Sequence, residues 1–245
     1  MVMLMINKDI LIKASKNKGI TNKGFMEKAY YQDLLLYDLA KSDLDFVFKG
    51  GTALYLFYGL KRFSEDLDFN VSDLEKAKSK VESILKKRGL KYSYIKPKNT
   101  YLFKVEIKGP FTEHNTLRID LSADKCLKSE GKEYVPVFTD IPPFIVKVMD
   151  IDEILVEKVD ALTNGVKNKD LYDIFNLLRI TEFNSQLWYK KFKDTKMDIN
   201  TIRNNIDKME KNWKKLNTFV LDYLPEHKTV KKYVLDKLQN KSKKP

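Results

Sequence analysis

Between residues 46 and 70 an apolar run ends in a double glycine, and a second run then carries two aspartates two residues apart. The first reads Phe46-Val47-Phe48-Lys49-Gly50-Gly51-Thr52-Ala53-Leu54, the second Arg62-Phe63-Ser64-Glu65-Asp66-Leu67-Asp68-Phe69. Strand side chains alternate between faces, so Asp66 and Asp68 project from one face of one strand. Two carboxylates so placed repel each other, and a divalent cation is the usual remedy. Glycines at a helix start let backbone N–H groups approach a phosphate. Lys49, Gly50, Gly51 and Thr52 are therefore candidates for a phosphate cradle beside metal-binding carboxylates, a combination that suits nucleotide chemistry.

Few other metal donors are available. The chain has one cysteine, Cys126, and two histidines, His114 and His227, which argues against a disulfide framework, a cysteine-based zinc site or a histidine-rich centre. Oxygen ligands point to magnesium or manganese. Lys and Arg number 46 against 34 Asp and Glu, and the formal charge of +12 favours an anionic partner, nucleic acid before a membrane surface. No run approaches membrane-spanning length, and Met1-Val2-Met3-Leu4-Met5-Ile6 is too short for a signal segment. The expectation is a cytoplasmic protein with no membrane partner. Its 245 residues, 43% of them hydrophobic, can bury a core as one large domain or two small ones.

Periodicity predicts helices over 8–19 and from Thr21 through Leu39, a strand over 45–48, an apolar helix over 52–59 and a strand over 67–71. Ser72-Asp73-Leu74-Glu75 reads as a capping box opening a helix that stops at Gly89. Strands are expected at 92–95, 101–108, 117–121 and around 134–138. After Pro142-Pro143 the pattern becomes helical, at 152–162, 169–178, 184–194, 199–223 and 227–240. The expected fold is α/β (α+β), a mixed sheet flanked by helices in residues 1–141 and a helical sub-domain in 142–245.

Asp120 lies inside the apolar run Leu117-Arg118-Ile119-Asp120-Leu121, with Arg118 and Ser122 on its own face. Alone it reads as a structural aspartate with a nearby cation. With Asp66 and Asp68 on neighbouring strands it becomes a third metal carboxylate, suited to phosphoryl or nucleotidyl transfer.

Gly50-Gly51-Thr52-Ala53-Leu54 followed by Arg62-x-Ser64-x-Asp66-x-Asp68 resembles the opening motif of the AbiEii/AbiGii toxin group, which includes the MenT toxins, within the DNA polymerase β-like nucleotidyltransferases. The resemblance extends to Glu27-Lys28-x-Tyr30-Tyr31, to Asp120, to Glu157-Lys158-x-x-Ala161-Leu162 and to Lys169-Asp170-Leu171-Tyr172-Asp173-Ile174. It spans about residues 25–180. It implies a polymerase β-like core and magnesium- or manganese-dependent transfer of NMP from an NTP to RNA, at the tRNA acceptor end. Such a toxin blocks translation and is paired with an antitoxin protein. The implied metal ligands are Asp66, Asp68 and Asp120, with Lys158 on the triphosphate and Asp170 or Asp173 completing the site.

The residues themselves leave several roles open. A helical lysine such as Lys158 is ordinarily solvated, although it could serve as a compact charge on the β- and γ-phosphates. Asp170 and Asp173 lie one helical turn apart, and Lys169 is a further phosphate candidate. Arg62 and Ser64 fit either turn chemistry or triphosphate contact. Residues 208–245 hold eleven lysines against four acids, a footprint for an RNA backbone, and 241–245 read as a basic tail. The competing functions are NMP transfer to a protein side chain and a catalytically silent RNA-binding protein of the same fold.

Overall fold

The computed structural model describes residues 7–193 and 197–239; the opening run Met1–Ile6 and the basic tail 241–245 lie outside them. Contacts divide the chain into two units, Met1–Phe57 with Phe63–Met149 and Tyr58–Arg62 with Asp150–Pro245.

The first unit opens with α1 (Lys8–Asn17) and α2 (Lys23–Ala40). Asn22 caps α2, its side chain accepting from the Phe25 amide at 3.0 Å and satisfying one donor that a first helical turn leaves orphaned. β1 (Phe46–Lys49), α3 (Gly50–Phe57), β2 (Asp66–Val71), α4 (Leu74–Lys87) and β3 (Tyr92–Ile95) follow. β4 (Thr100–Ile107), β5 (Asn115–Ser122), β6 (Ser129–Tyr134) and β7 (Phe144–Met149) complete the unit.

The seven strands form one mixed sheet in the order β3-β4-β5-β2-β1-β7-β6. β2 runs parallel to β5 and β1 parallel to β7, and the other neighbours are antiparallel. Leu67, Phe69, Leu117, Ile119 and Leu121 are buried on one face, while the alternating Asp66, Asp68, Arg118 and Asp120 stay accessible on the other. α2, α3 and α4 lie against these strands, and Leu35, Leu36 and Leu39 of α2 are buried in the core. Each such leucine contributes about 1.5–3 kcal/mol of apolar burial.

The second unit is helical: α5 (Ile151–Asn164), α6 (Asn168–Leu177), α7 (Ser185–Lys191), α8 (Ile199–Met209), a 3₁₀ helix (Glu210–Thr218) and α9 (His227–Gln239). Its core takes Ile154, Leu155, Val159 and Leu162 from one face of α5, with Ile174, Ile206 and Val234 from later helices.

Four expectations are corrected. The cap of α4 is Asp73, which accepts from the Lys76 amide at 3.0 Å, rather than Ser72. Glu75 is drawn off to Lys96 Nζ (2.6 Å) and the Tyr101 hydroxyl (2.9 Å), so it does not close a box with the cap. The strand expected at 134–138 lies earlier, at Ser129–Tyr134, where it pairs with β7. β7 falls beyond the boundary expected at 141–143; its alternating Val146 and Val148 add it to the sheet, and contacts change at Met149. The single helix expected over 199–223 is α8 followed by the 3₁₀ helix. Among the aromatic residues of 208–239, Trp213 and Tyr233 pack inward while Tyr223 is exposed.

Candidate active site

Strand register assembles the carboxylates. β2 pairs with β5 so that Asp68 stands opposite Asp120 and Asp66 opposite Arg118, while β1 sets Lys49 opposite Asp68. In-register residues share a face, with strands about 4.8 Å apart. The three aspartates and Lys49 therefore crowd one half-buried patch of the sheet. Arg118 Nη2 donates to Asp120 Oδ2 at 2.5 Å. Partial burial works against the Arg118 charge, but Asp120 and then Asp66 outweigh it and raise its pKa.

The start of α3 is fitted to this patch. Gly50 has φ +75°, and a Cβ there would overlap the Asp68 carboxylate, so the position requires glycine on both counts. Gly51 and Thr52 are buried in the first turn, where the Thr52 hydroxyl donates to the Asp66 carbonyl and ties helix to strand. Ser64 is 8% exposed, and its carbonyl accepts from Gln32 Nε2 at 2.8 Å. The donor set of the patch, all carboxylate oxygen, fits a hard cation such as magnesium or manganese. Among the described residues, however, no three acidic, histidine or cysteine groups are gathered as a metal site.

In the second unit α5 and α6 bring Lys158, Asp170 and Asp173 together. Lys158 Nζ lies 2.7 Å from Asp170 Oδ1 and 3.0 Å from Asp173 Oδ2. Arg62 grips Asp173 with a fork, Nε to Oδ1 at 2.9 Å and Nη2 to Oδ2 at 2.7 Å. Arg62 is 1% exposed and Asp173 0%. Burial penalises the Asp173 charge, yet Arg62 and then Lys158 outweigh it and hold the carboxyl below its ordinary range. Burial likewise opposes the Lys158 ammonium, and Asp173 and Asp170 more than reverse that, raising its pKa.

These contacts separate residues that the sequence grouped. Arg62, a candidate for triphosphate contact, spends its fork on Asp173 inside the second unit. Asp173 is the wholly buried centre of that cluster, whereas Asp170 lies at its edge with 7% exposure. Asp170 stands in the first turn of α6, where a carboxylate complements the helix dipole, while the N-cap residue is Lys167. Lys169 places Nζ 3.6 Å from the centre of the Phe219 ring.

The upstream motif proves to be a set of ties within the first unit. Glu27, completely buried, accepts from the Phe111 amide (2.7 Å), the Thr112 amide (3.0 Å) and the Thr112 hydroxyl. A Cβ on Gly109 would overlap the Glu27 carboxylate. Lys28 pairs with Glu65 at 2.7 Å, the Tyr30 hydroxyl donates to Asp140 at 2.7 Å, and that of Tyr31 to the Lys108 carbonyl at 2.8 Å. Only the unusual polarity of a helix that carries Glu27, Gln32 and Asp33 at otherwise buried positions could have signalled this. Arg118 shares the face of Asp120 by alternation, but that it grips Asp120 appears only in the folded chain.

A family model described as the nucleotidyl transferase AbiEii toxin of a type IV toxin–antitoxin system matches residues 34–234. Among solved structures, the chain is similar to a candidate nucleotidyltransferase from H. pylori at 23% identity and TM-score 0.62, over 90% of this chain and 95% of that one. It is similar to MenT4, a nucleotidyltransferase toxin of Mycobacterium tuberculosis H37Rv, at 16% identity and TM-score 0.70, over 95% and 88% of the two chains. A further likeness is to JHP933 from Helicobacter pylori, with 23% identity, TM-score 0.57 and coverage of 91% and 96%. No curated protein matches. Likeness at these identities shows the fold.

Proposed function

The chain belongs to the AbiEii nucleotidyltransferase toxin family, and from that premise we propose that it transfers NMP from an NTP to an RNA hydroxyl, breaking the α–β phosphoanhydride bond and releasing pyrophosphate, at the 3′ acceptor end of tRNA, and so blocks translation. The observation that carries this reading is the in-register pair Asp68 and Asp120, with Asp66 beside it and the glycine-opened start of α3 against Asp68. A divalent cation bound by Asp66, Asp68 and Asp120 would neutralise phosphate charge and lower the barrier to attack by a hydroxyl.

The chain's own groups supply the rest. Gly50 and Gly51 keep the amides of the first turn of α3 approachable by phosphate oxygens, with Lys49 alongside. Asp120 takes the proton of the attacking hydroxyl. Lys158 is the residue of the second unit assigned to the β- and γ-phosphates, kept charged by Asp170 and Asp173. Arg62 acts on this chemistry by fixing Asp173 rather than by touching nucleotide. Exposed Lys211, Lys214 and Lys215 of the 3₁₀ helix and Lys228 and Lys232 of α9 are suited to RNA phosphates, so binding should weaken steeply with salt. A toxin–antitoxin family implies a cognate antitoxin as protein partner. Among the described residues no helix is long and apolar enough to cross a membrane.

The test incubates intact protein with α-labelled NTP and magnesium in the presence of total RNA and total protein, then separates the fractions. Label is expected in RNA, at the 3′ end of tRNA, and Asp68→Asn is expected to lose about a hundredfold or more of it. Label in the protein fraction instead would assign the chain to side-chain nucleotidylation. Retained RNA with no label in either fraction would leave a silent binding protein, and undiminished labelling by Asp68→Asn would sink the proposed site.

A further inference from the structure

The carboxylate patch carries a cation of its own. Arg118 stands two positions before Asp120 on β5, so both project from one face, and the register sets it opposite Asp66 on β2. Its guanidinium reaches Asp120 Oδ2 at 2.5 Å, although the Arg118 side chain remains 49% exposed against 19% for Asp120. A guanidinium stays protonated at any pH the protein survives, so it leaves a carboxylate only by moving and not by losing its proton. A divalent cation would seek the same oxygens.

We propose that Arg118 is an internal counter-ion which holds Asp120 in the metal-free protein and must release it before Asp66, Asp68 and Asp120 can take a divalent cation together. The inference rests on the metal-dependent reading of that patch. Its physical basis is the weakness of the pair. A half-exposed ion pair is screened and exchanges readily, whereas a buried fork such as Arg62 on Asp173 does not. Arg118 thereby lowers the repulsion among the aspartates when no metal is bound, and it sets a threshold of cation concentration for assembling the site. In this role it is a positioning residue.

The experiment titrates manganese, without nucleotide, into intact wild-type protein, Arg118→Ala, Arg118→Lys and Asp68→Asn, following free manganese by electron paramagnetic resonance. Thermal melts confirm that each variant is folded. Arg118→Ala is expected to bind manganese about tenfold more tightly than wild type, because one unit of positive charge leaves the immediate neighbourhood of the ligands. Arg118→Lys keeps the charge but loses the planar guanidinium and should fall between the two. If Arg118→Ala binds no more tightly while Asp68→Asn loses binding, the counter-ion role is overturned and the metal assignment stands. If Asp68→Asn binds as wild type does, the metal assignment of the patch fails, and the counter-ion role fails with it.

Discussion

On the sheet of the first unit, Asp66, Asp68 and Asp120 are half-buried and share a face through strand register alone, with Arg118 on Asp120 as a half-exposed neighbour. In the helical unit, Asp173 is wholly buried and clamped between Arg62 and Lys158. Both clusters mix aspartates with basic residues, but the energetic consequences differ. A solvent-screened pair contributes about 0–1 kcal/mol and can be exchanged for another cation. Breaking a buried pair by removing one partner leaves an uncompensated charge and costs about 3–5 kcal/mol. The first arrangement is suited to chemistry, the second to holding Lys158 at one place in one charge state.

That contrast can be broken experimentally. Asp173→Ala should lower the stability of the second unit by about 3–5 kcal/mol in denaturant unfolding, since Arg62 would be left buried without its fork partner. A loss under about 1 kcal/mol would mean that Arg62 finds water and that the cluster is not a fixed one. Next in size is Gly50→Ala. The left-handed backbone and the overlap with Asp68 predict a cost of about 1–3 kcal/mol, together with a fall in transfer activity. A neutral result would show that α3 can draw back from the patch.

Acid should separate the clusters further. The Asp173 carboxyl titrates below its ordinary value of 3.8 in the folded chain, so its stabilising effect is fully present above that pH and is lost as pH falls through the lower, folded value. Unfolding followed against pH should steepen below about 3.8 in wild type and less so in Asp173→Asn. Equal acid profiles would refute the linkage. The smallest effect belongs to Asp68→Asn on stability. It removes like-charge repulsion from a half-exposed patch, so the unfolding free energy should stay within about 1 kcal/mol of wild type even as transfer collapses. A large destabilisation would make Asp68 a structural residue.

Much of the sheet patch was legible in the sequence because its logic is local. Alternation with period two places Asp66 with Asp68, and Arg118 with Asp120, whatever the rest of the chain does. The double glycine announced the helix start that approaches Asp68. Elements with competing local signals were read less well. The β7 segment follows two prolines and opens a helical stretch, so its short alternating run was absorbed into the helices, and its place in the sheet depends on pairing with β1 and β6. The α4 cap lies one residue later than the box pattern suggests, and Glu75 finds its partners in Lys96, between β3 and β4, and Tyr101 of β4.

Arg62 and Asp173 are separated by 111 positions, and no periodicity links them. Read locally, Arg62 belongs with Ser64 and Asp66 as part of one motif. Read in the fold, it lies with the helical unit, and its charge is spent on burying an aspartate. The sequence by itself determined which residue types share the patch, since residue type and strand alternation are properties of a few consecutive positions. Which charges are buried in fixed pairs, and which lie half-exposed on the sheet, was decided only by tertiary structure, because desolvation and pairing depend on what the rest of the chain brings within a few ångströms.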